Sequence, residues 1–398
     1  MNNTPEGERA RVVFLGRRNV GKSCLMNAIA GQPVSIVSDI PGTTTDPVRK
    51  AMEVLPLGPV LLVDTAGLDD DQEAVGNLRV SRTMDEVRCA DIALVVTDAR
   101  VGIGDCEKEI ITNLKNAGID FFIVFNKSDI FPMPTNPDMP TNSALPTHPA
   151  TPVFTVSSVT GDGIEELKSA IASINPNGLQ NKKIIGDMLE KNDVVVLVVP
   201  IDTAAPKGRL ILPQQQTIRD ILEANCISIV TQVHELAATL AMLKKPPRIV
   251  VTDSQVFREV RKVVPKEVEL TSFSILFARY KGGEGYDTLR AGLNALDTLK
   301  EGDKILIAEG CTHKRQCEDI GTVKIPRWIE EKTGKKFVYE FSSGSGWPQN
   351  LSAYSLIVHC GGCMLHHREV KRRILEAKKS GIPITNFGLL IAKVQGVI

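Results

Sequence analysis

Short apolar runs alternate with amphipathic stretches along the whole chain, and this alternation predicts strands and helices in turn. In the first part the predicted strands are Arg11–Leu15, Val60–Val63, Ile92–Thr97, Phe121–Phe125 and Val153–Val156. The predicted helices between them are Lys22–Ala30, Asn77–Cys89, Asp105–Asn116 and Gly163–Ala172. Short β-rich runs separated by helices are typical of a parallel sheet covered on both faces, so this part is predicted to be an α/β domain.

Segments rich in proline, asparagine or glycine interrupt the alternation and suggest where domains end. Residues 131–152 contain seven prolines and are predicted to be a surface insertion, because proline is excluded from helix interiors and central strands. Asn175–Gly178 is interpreted as a domain boundary, and Tyr280–Gly285 as a linker. The same alternation resumes after each boundary. We therefore predict three consecutive α/β domains, at residues 1–178, 179–275 and 276–398.

Composition narrows the class of protein. The 398 residues include 47 Lys or Arg and 47 Asp or Glu, and 42% are hydrophobic, which excludes global disorder and a chain that coats nucleic acid along its length. The most apolar run, Val194–Ile201, is too short to cross a bilayer, and the first residues contain no apolar stretch of signal-peptide length. We expect a cytoplasmic protein without a membrane partner.

The neutral total conceals an uneven distribution of charge. Residues 1–178 hold 15 basic and 23 acidic side chains, a net charge of −8. Residues 179–275 hold 13 and 11, a net +2, and residues 276–398 hold 19 and 13, a net +6. Within this last part, one predicted helix carries a cluster of basic residues: Lys371, Arg372, Arg373, Lys378 and Lys379. We hypothesise that this basic domain holds an anionic cargo or an acidic partner surface.

Residues 16–23 read GRRNVGKS and fit the phosphate-binding pattern G-x-x-x-x-G-K-[ST] between a strand and a helix. Gly16 and Gly21 let backbone N–H groups face phosphate oxygens, and the helix N-terminus adds positive potential. Lys22 is predicted to reach the β- and γ-phosphates, and Ser23 to bind Mg²⁺. Cys24, which follows, is counted among the nucleotide-binding residues.

Three further motifs follow in order, each after an apolar strand. Asp64 places a carboxylate beside the metal, and Gly67 an N–H near the γ-phosphate. Asn126-Lys127-Ser-Asp129 resembles the N-K-x-D motif of GTPases: Asp129 would accept from the guanine N1–H and amine, Asn126 would contact its other edge, and Lys127 would pack over the ring. Ser157-Ser158 resembles the loop that closes over guanine. GTP is therefore predicted rather than ATP.

The stretch Asp39–Asp46 resembles the first switch of GTPases related to Era and TrmE. By that resemblance Thr44 completes the Mg²⁺ shell and joins Lys22, Asp64 and Gly67 as a catalytic residue. Asn19 resembles the asparagine that binds K⁺ in cation-activated members; the alternative is that it only hydrogen bonds within the loop. The resemblance implies slow hydrolysis that is faster in K⁺ than in Na⁺.

The eight cysteines fall into two groups, four scattered along the chain and four, including Cys317, in its last quarter. Four of them lie in apolar or helical patterns and are interpreted as core residues: Cys24, Cys89, Cys106 and Cys226. Cys311, Cys360 and Cys363 follow two predicted strands, and if those strands share one parallel sheet the thiols meet at its carboxyl edge. Three thiolates suit a 4Fe-4S cluster, and with one histidine they also suit a Cys₃His zinc site, so both metals stay open.

The order of motifs, with C-x-H at Cys311 and His313 and H-C-x-x-C from His359 to Cys363, resembles the FeFe-hydrogenase maturation GTPases, the HydF family. The resemblance implies GTP hydrolysis, a homodimer or higher homo-oligomer, and a 4Fe-4S cluster on the three cysteines. It also implies delivery of a di-iron precursor to the apo FeFe-hydrogenase, with the radical-SAM maturases as further partners. The fourth iron ligand stays open between His313, His359, Glu318 and solvent, and Cys317 is assigned no role.

The alternative is a GTPase that serves the ribosome or tRNA and carries a zinc-stabilised accessory domain. Such a protein is expected to have a basic surface bearing aromatic residues and an RNA-binding module. No K-homology G-x-x-G loop followed by a basic helix is evident in the sequence, so a nucleic-acid partner is not expected.

Overall fold

The structure is a computed structural model that describes residues 4–31, 48–67, 86–130, 151–174, 182–201, 210–311, 319–344 and 346–397. The chain divides into two compact units, Met1–Asn181 and Lys182–Ile398. The first contains one sheet and the second contains two, so each predicted α/β stretch has a sheet of its own. Several predictions lie outside the described residues: the first switch with Thr44, most of the helix Asn77–Cys89, residues 131–150, the boundary at Asn175–Gly178, His313, Cys317 and Glu318.

The sheet of the first unit has six strands: β1 Ala10–Leu15, β2 Val48–Val54, β3 Gly58–Asp64, β4 Ile92–Asp98, β5 Asp120–Asn126 and β6 Val153–Thr155. Their order is β2-β3-β1-β4-β5-β6, and every neighbouring pair is parallel except β2 with β3. The helices described in full are α1 Lys22–Ala30, α2 Asp105–Asn116 and α3 Ile164–Ser173. Separate apolar clusters cover the two faces, which confirms the predicted α/β class.

Strand β2 was not predicted from the sequence. It is an edge strand whose residues are at most half-buried, and Arg49 and Glu53 are exposed. A strand paired on one side only needs no continuous apolar run, so its sequence lacks the signal that revealed β1 and β4.

The second unit contains two four-stranded, all-parallel sheets. The first sheet has the order β10-β9-β7-β8, with β7 Val194–Val198, β8 Ile227–Thr231, β9 Ile249–Thr252 and β10 Glu269–Ser272. The second has the order β12-β11-β13-β14, with β11 Lys304–Ala308, β12 Val338–Ser342, β13 Leu356–His359 and β14 Ile384–Asn386. The helices are α4 Leu212–Glu223, α5 Leu236–Ala241, α6 Phe257–Val263, α7 Phe273–Gly282, α8 Tyr286–Gly292, α9 Ile325–Thr333, α10 His367–Lys379 and α11 Phe387–Val394.

The segment Tyr280–Gly285, interpreted as a linker, is helical in the structure. These residues form the end of α7 and a 3₁₀ turn that leads into α8, and the predicted boundary at 275/276 lies inside α7. A Cβ on Gly285 would lie 3.0 Å from Cγ2 of Ile374 on α10. The absence of a side chain at Gly285 therefore allows close packing against α10.

The strand β10 and the helix α11 were also not predicted. β10 is short and carries only one large apolar residue, Leu270, so it gives little periodic signal. α11 is almost entirely buried and shows little of the polar periodicity that marks a surface helix. None of the helices in the described part of the chain is both long and apolar enough to cross a membrane.

Candidate functional site

The phosphate-loop motif lies between the end of β1 and the start of α1. Gly16 has φ 143° and Gly21 has φ 92°. A Cβ on Gly16 would lie 2.1 Å from the carbonyl oxygen of Val96, and one on Gly21 would lie 2.3 Å from Nδ2 of Asn126. Only glycine fits at these two positions, so the loop owes its course to the residues that the motif requires.

The side chains predicted to handle phosphate and Mg²⁺ converge at this loop. The buried Lys22 ammonium donates to the carbonyl oxygens of Gly16 at 2.9 Å and Arg17 at 2.7 Å. The hydroxyl of Ser23 donates to Asp64 at the end of β3, with 2.5 Å between the oxygens. A hydroxyl and a carboxylate at this spacing offer the oxygen ligands that Mg²⁺ prefers.

Asn126 links the phosphate loop to the serine loop that follows β6. Its Nδ2 donates to the carbonyl oxygen of Val20 at 3.0 Å, and its Oδ1 accepts from the N–H of Ser158 at 3.1 Å. The side chain is completely buried. Asn126 therefore holds two loops together, in addition to the contact with guanine predicted for it.

Asp129 and Lys127 of the N-K-x-D motif are held in place by hydrogen bonds to neighbouring residues. The exposed Asp129 accepts at Oδ1 from the hydroxyl of Ser157 at 2.7 Å, which orients the carboxylate. Lys127 has φ 67°, and its ammonium donates to the carbonyl oxygen of Asn19 at 2.6 Å and to Oδ2 of Asp98 at 3.0 Å. The backbone at Asn19 is also in the left-handed region, with φ 59°. The predicted base-reading residues thus lie together at one end of the sheet.

Sequence reasoning missed two carboxylates that support this site. Asp98, at the end of β4, forms ion pairs with Lys127 and Arg100. Burial alone would raise the pKa of the Asp98 carboxyl, but the hydrogen bonds from Arg100 and Lys127 outweigh burial and hold that pKa below its usual value. Glu107 on α2 is fully buried, and it accepts from Nε of Arg17 at 2.7 Å. Asp98 ends an apolar strand, as Asp64 does, so the sequence held a signal for it; Glu107 had none.

The cysteine motifs meet at the carboxyl edge of the third sheet. β11 and β13 are adjacent and parallel, with Ala308 opposite His359. Cys311 follows β11 by three residues, and Cys360 follows β13 directly, with its N–H donating to the carbonyl oxygen of Ala308 at 2.9 Å. The condition set by the sequence analysis, one parallel sheet for both motifs, is met.

The three thiols lie close enough to influence one another. The pKa of Cys360 is raised to about 12, chiefly by burial; the nearby Cys363 and Cys311 also raise it, whereas backbone N–H groups act to lower it. Those donors are Gly310 at 3.0 Å and Gly362 at 3.3 Å from Sγ. Burial likewise raises the pKa of Cys311 to about 11, with Cys363 contributing next. Converging thiols with N–H groups directed at sulfur fit a thiolate-bound metal or cluster, because its positive charge would offset this repulsion.

Two buried carboxylates flank Cys311. Glu309 is 4% exposed and Asp319 is 7% exposed, and both raise the pKa of the Cys311 thiol. Asp319 accepts from the N–H groups of Gly321 and Thr322 and so begins the π-helix Ile320–Lys324. A π-helix is rare and is often found at functional sites. Sequence reasoning did not single out either carboxylate.

Of the candidates for a fourth ligand, only His359 lies within the described residues. Its Nδ1 is 2.7 Å from the carbonyl oxygen of Cys360, and its Nε2 is 3.3 Å from Nη1 of Arg373. Burial, and then the charge of Arg373, lower the pKa of His359 to about 4.

The hypothesis of an anion-binding surface on α10 needs correction. Arg373 is completely buried, and Arg372 is held by Glu369 at 2.8 Å and by Glu376 at 2.7 Å. Two of the five basic residues that suggested the surface are therefore engaged within the helix and its packing, whereas Lys378 and Lys379 are exposed. The positive charge counted from the sequence overstates what this helix presents to a ligand.

Comparison with known proteins gives three matches along the chain. A GTPase domain model, described as 50S ribosome-binding GTPase, matches residues 11–127. The hydrogen maturase F dimerization domain matches residues 184–282, and the hydrogen maturase F tetramerization domain matches residues 287–398. The first part is thus a GTPase domain, as predicted, and the rest consists of two domains named for self-association.

Individual relatives match a smaller part. The tRNA modification GTPase MnmE of Nitrosomonas europaea is 37% identical over 164 residues, 41% of this chain and 34% of the relative. That of Chromobacterium violaceum is 43% identical over 123 residues, 31% of this chain and 27% of the relative. The chain spans about a third of the length of such relatives.

Among solved structures, Aquifex aeolicus Era bound to GDP and aluminium fluoride is 18% identical with a TM-score of 0.35, covering 84% of this chain and 92% of that one. The family assignment rests on the domain models and not on this structural similarity. The two hydrogen maturase F models follow one another behind the GTPase domain, with the cysteine motifs inside the second. The chain therefore belongs to the hydrogen maturase F family.

Proposed function

We propose that this protein hydrolyses GTP and binds a 4Fe-4S cluster, and that it carries the di-iron precursor of the FeFe-hydrogenase active site to the apo-hydrogenase. The observation that carries the cluster assignment is the meeting of Cys311, Cys360 and Cys363 at one sheet edge, with two N–H groups directed at Cys360. Family membership supports the role in hydrogenase maturation.

On the nucleotide side, each residue acts by binding or orienting. Lys22 would bind the β- and γ-phosphates, and Gly67 would donate its N–H to the γ-phosphate. Ser23 and Thr44 would hold Mg²⁺, with the Asp64 carboxylate supporting them. Asp129 reads guanine, and its orientation by Ser157 favours that role. When bound, Mg²⁺ offsets the negative charge that develops on the phosphates.

The proposed K⁺ stimulation depends on Asn19. Its left-handed backbone and the contact of its carbonyl oxygen with Lys127 keep this residue within the nucleotide site. A cation held there would supply the positive charge that an arginine supplies in other GTPases.

On the cluster side, the three cysteines supply thiolates, and the N–H groups of Gly310 and Gly362 stabilise the negative charge on Cys360. A 4Fe-4S cluster bound by three cysteines has one iron coordinated by a further, exchangeable ligand. Such a position suits a carrier, because a cargo must be able to attach and leave. The apo-hydrogenase and the radical-SAM maturases are the proposed partners, and the protein is proposed to act as a homodimer or larger homo-oligomer.

The test is anaerobic reconstitution of the full chain with iron and sulfide, followed by metal analysis and absorption spectroscopy. We expect about four irons per chain, the content of one 4Fe-4S cluster. Cys360→Ser should lose most of that iron and retain GTP hydrolysis. Cys226→Ser is the matched control, because Cys226 is buried in the same unit and donates to the carbonyl oxygen of Glu190.

Stoichiometric zinc with no iron would refute the cluster assignment and favour the alternative, an RNA-associated GTPase with a zinc-stabilised domain. Equal iron loss in Cys360→Ser and Cys226→Ser would show that disturbance of the unit, rather than loss of a ligand, removes the metal.

A further inference from the structure

The imidazole of His359 has both ring nitrogens engaged. Nε2 faces Nη1 of Arg373, and a guanidinium can only donate, so Nε2 accepts that hydrogen bond. The proton of the neutral ring then sits on Nδ1, which donates to the carbonyl oxygen of Cys360 at 2.7 Å. In this arrangement the ring offers no lone pair to a metal.

We propose that His359 is a positioning residue for Cys360 rather than a ligand of the cluster, and that the buried Arg373 fixes it in that role. The inference rests on the proposed function, since it assumes that the cysteine loop holds a metal cluster. It assigns to Arg373 a role that the sequence did not suggest, and it removes one of the four candidates for the exchangeable iron position.

The guanidinium of Arg373 is held by contacts on several sides. Its Nε donates to Glu369 at 2.7 Å, its Nη2 donates to the carbonyl oxygen of Gly344 at 2.7 Å, and the guanidinium lies 5.1 Å from the ring centroid of Trp347. A completely buried charge is costly unless it is paired and hydrogen bonded, and these contacts satisfy that requirement. The third nitrogen of the guanidinium, Nη1, is directed at Nε2 of His359 at 3.3 Å.

The chain of contacts leads from α10 to the metal site in three steps. Glu369 orients Arg373, Arg373 orients His359, and His359 holds the peptide carbonyl of Cys360. The sulfur of the same residue accepts from the N–H of Gly362. The contact with His359 therefore restrains the backbone of the Cys360 loop. That loop carries both the proposed thiolate ligand and the Gly362 N–H that donates to it.

Groups that orient metal ligands affect metal affinity by about 10- to 100-fold. We expect losses of that size when either His359 or Arg373 is replaced. Because the two residues act in series, replacing both should cost no more than replacing one. Arg373→Lys should behave like Arg373→Met, because an ammonium cannot reproduce the planar set of contacts.

The first experiment tests the tautomer without any metal. The chain has six histidines, so the ring ¹⁵N resonances of the metal-free full-length protein can be assigned with the variant His359→Gln. We expect the neutral ring of His359 to carry its proton on Nδ1. A proton on Nε2 would overturn the inference, and this readout remains valid whichever metal the protein binds.

The second experiment uses the reconstituted protein and measures iron loss to a chelator together with pulsed EPR of the reduced cluster. We expect His359→Gln and Arg373→Met each to speed iron loss about 10- to 100-fold, with the double variant no faster. Arg372→Met is the matched control: Arg372 also binds Glu369 but has no described contact with His359, so the rate should stay near that of the wild type. Any strong ¹⁴N coupling from a histidine ligand in the wild type should persist unchanged in His359→Gln, because the proposal excludes only His359 as that ligand.

A strong ¹⁴N coupling that disappears in His359→Gln would overturn the inference, and so would multiplicative effects of the two substitutions. If Arg373→Met does not fold, His359→Gln and the wild-type spectra still decide the question. A wild type that takes up zinc and no iron would refute the proposed function, whereas the tautomer measurement would stand.

Discussion

Replacing Asn126 by alanine should destabilise the first unit even when no nucleotide is present. The amide joins the carbonyl oxygen of Val20 to the N–H of Ser158 in a completely buried place. Each buried group left without its partner costs about 1–3 kcal/mol, so the expected loss is roughly 2–4 kcal/mol. For a unit of this size that lowers Tm by roughly 5–15 °C.

The matched control is Asp129→Ala. Asp129 is exposed, and its described hydrogen bond is to the hydroxyl of Ser157, whose oxygen also accepts from the N–H of Thr160. Its loss should change the stability of the nucleotide-free protein by less than about 1 kcal/mol, while GTP affinity falls sharply.

Calorimetry of the full chain without nucleotide, together with GTP titration, separates the two effects. Asn126→Ala should lower both Tm and affinity, and Asp129→Ala should lower affinity alone. An unchanged Tm in nucleotide-free Asn126→Ala would refute the reasoning, because it would mean that the buried amide does not hold the two loops together.

Three further predictions test other parts of the molecule. Asn19→Gly keeps the left-handed backbone and removes the side chain, so GTP hydrolysis should lose its preference for K⁺ over Na⁺; equal rates in the two salts for the wild type would already contradict the K⁺ role. Hydrogen bonding to Arg279 lowers the pKa of Asp187, so this pair contributes stability above the unfolded pKa of about 3.9 and loses it as pH falls through the lower folded value. The difference in urea unfolding between wild type and Asp187→Asn should therefore be under about 1 kcal/mol at pH 7, since the pair is partly exposed, and should shrink as pH falls through the lowered folded pKa; a difference that grows on acidification would contradict the sign. Gly292→Ala would put a Cβ 2.0 Å from the backbone oxygen of Ile384, so thermal unfolding should reveal a loss of about 1–3 kcal/mol, and an unchanged Tm would mean that α8 and β14 separate without cost.

The parts of the fold and site that were predicted from sequence depend on local order. Lys22 and Ser23 stand beside their glycines in the motif, and Asp64 and Asn126 each end an apolar strand. Parallel pairing then brings strand ends to one edge, so the proximity of Ser23 to Asp64 follows from the pattern. The family could be identified for the same reason, because its signature is a set of short spacings.

The parts that were not predicted depend on contacts between distant residues. Glu107 binds Arg17 across 90 positions, and neither residue stands in a periodic pattern that implies the other. The glycines near residue 283 suggest a linker by composition, yet Gly285 faces Ile374 on a helix nearly ninety residues later. Such contacts are determined by how distant elements pack together. The local pattern of a single sequence carries no signal for them.

The basic helix α10 illustrates how burial changes the meaning of charge. From the sequence, Arg372 and Arg373 suggested an exposed patch for an anion, because most charged residues on a helix face solvent. In the structure Glu369 lies one turn before both and accepts from each. This carboxylate allows Arg373 to be buried, and the buried guanidinium reaches His359 beside the cysteine loop. Arg373, which suggested a surface for cargo, therefore supports the residues proposed to hold the cluster. Glu369 makes this possible, because its carboxylate pairs with the buried guanidinium and offsets the cost of burying that charge.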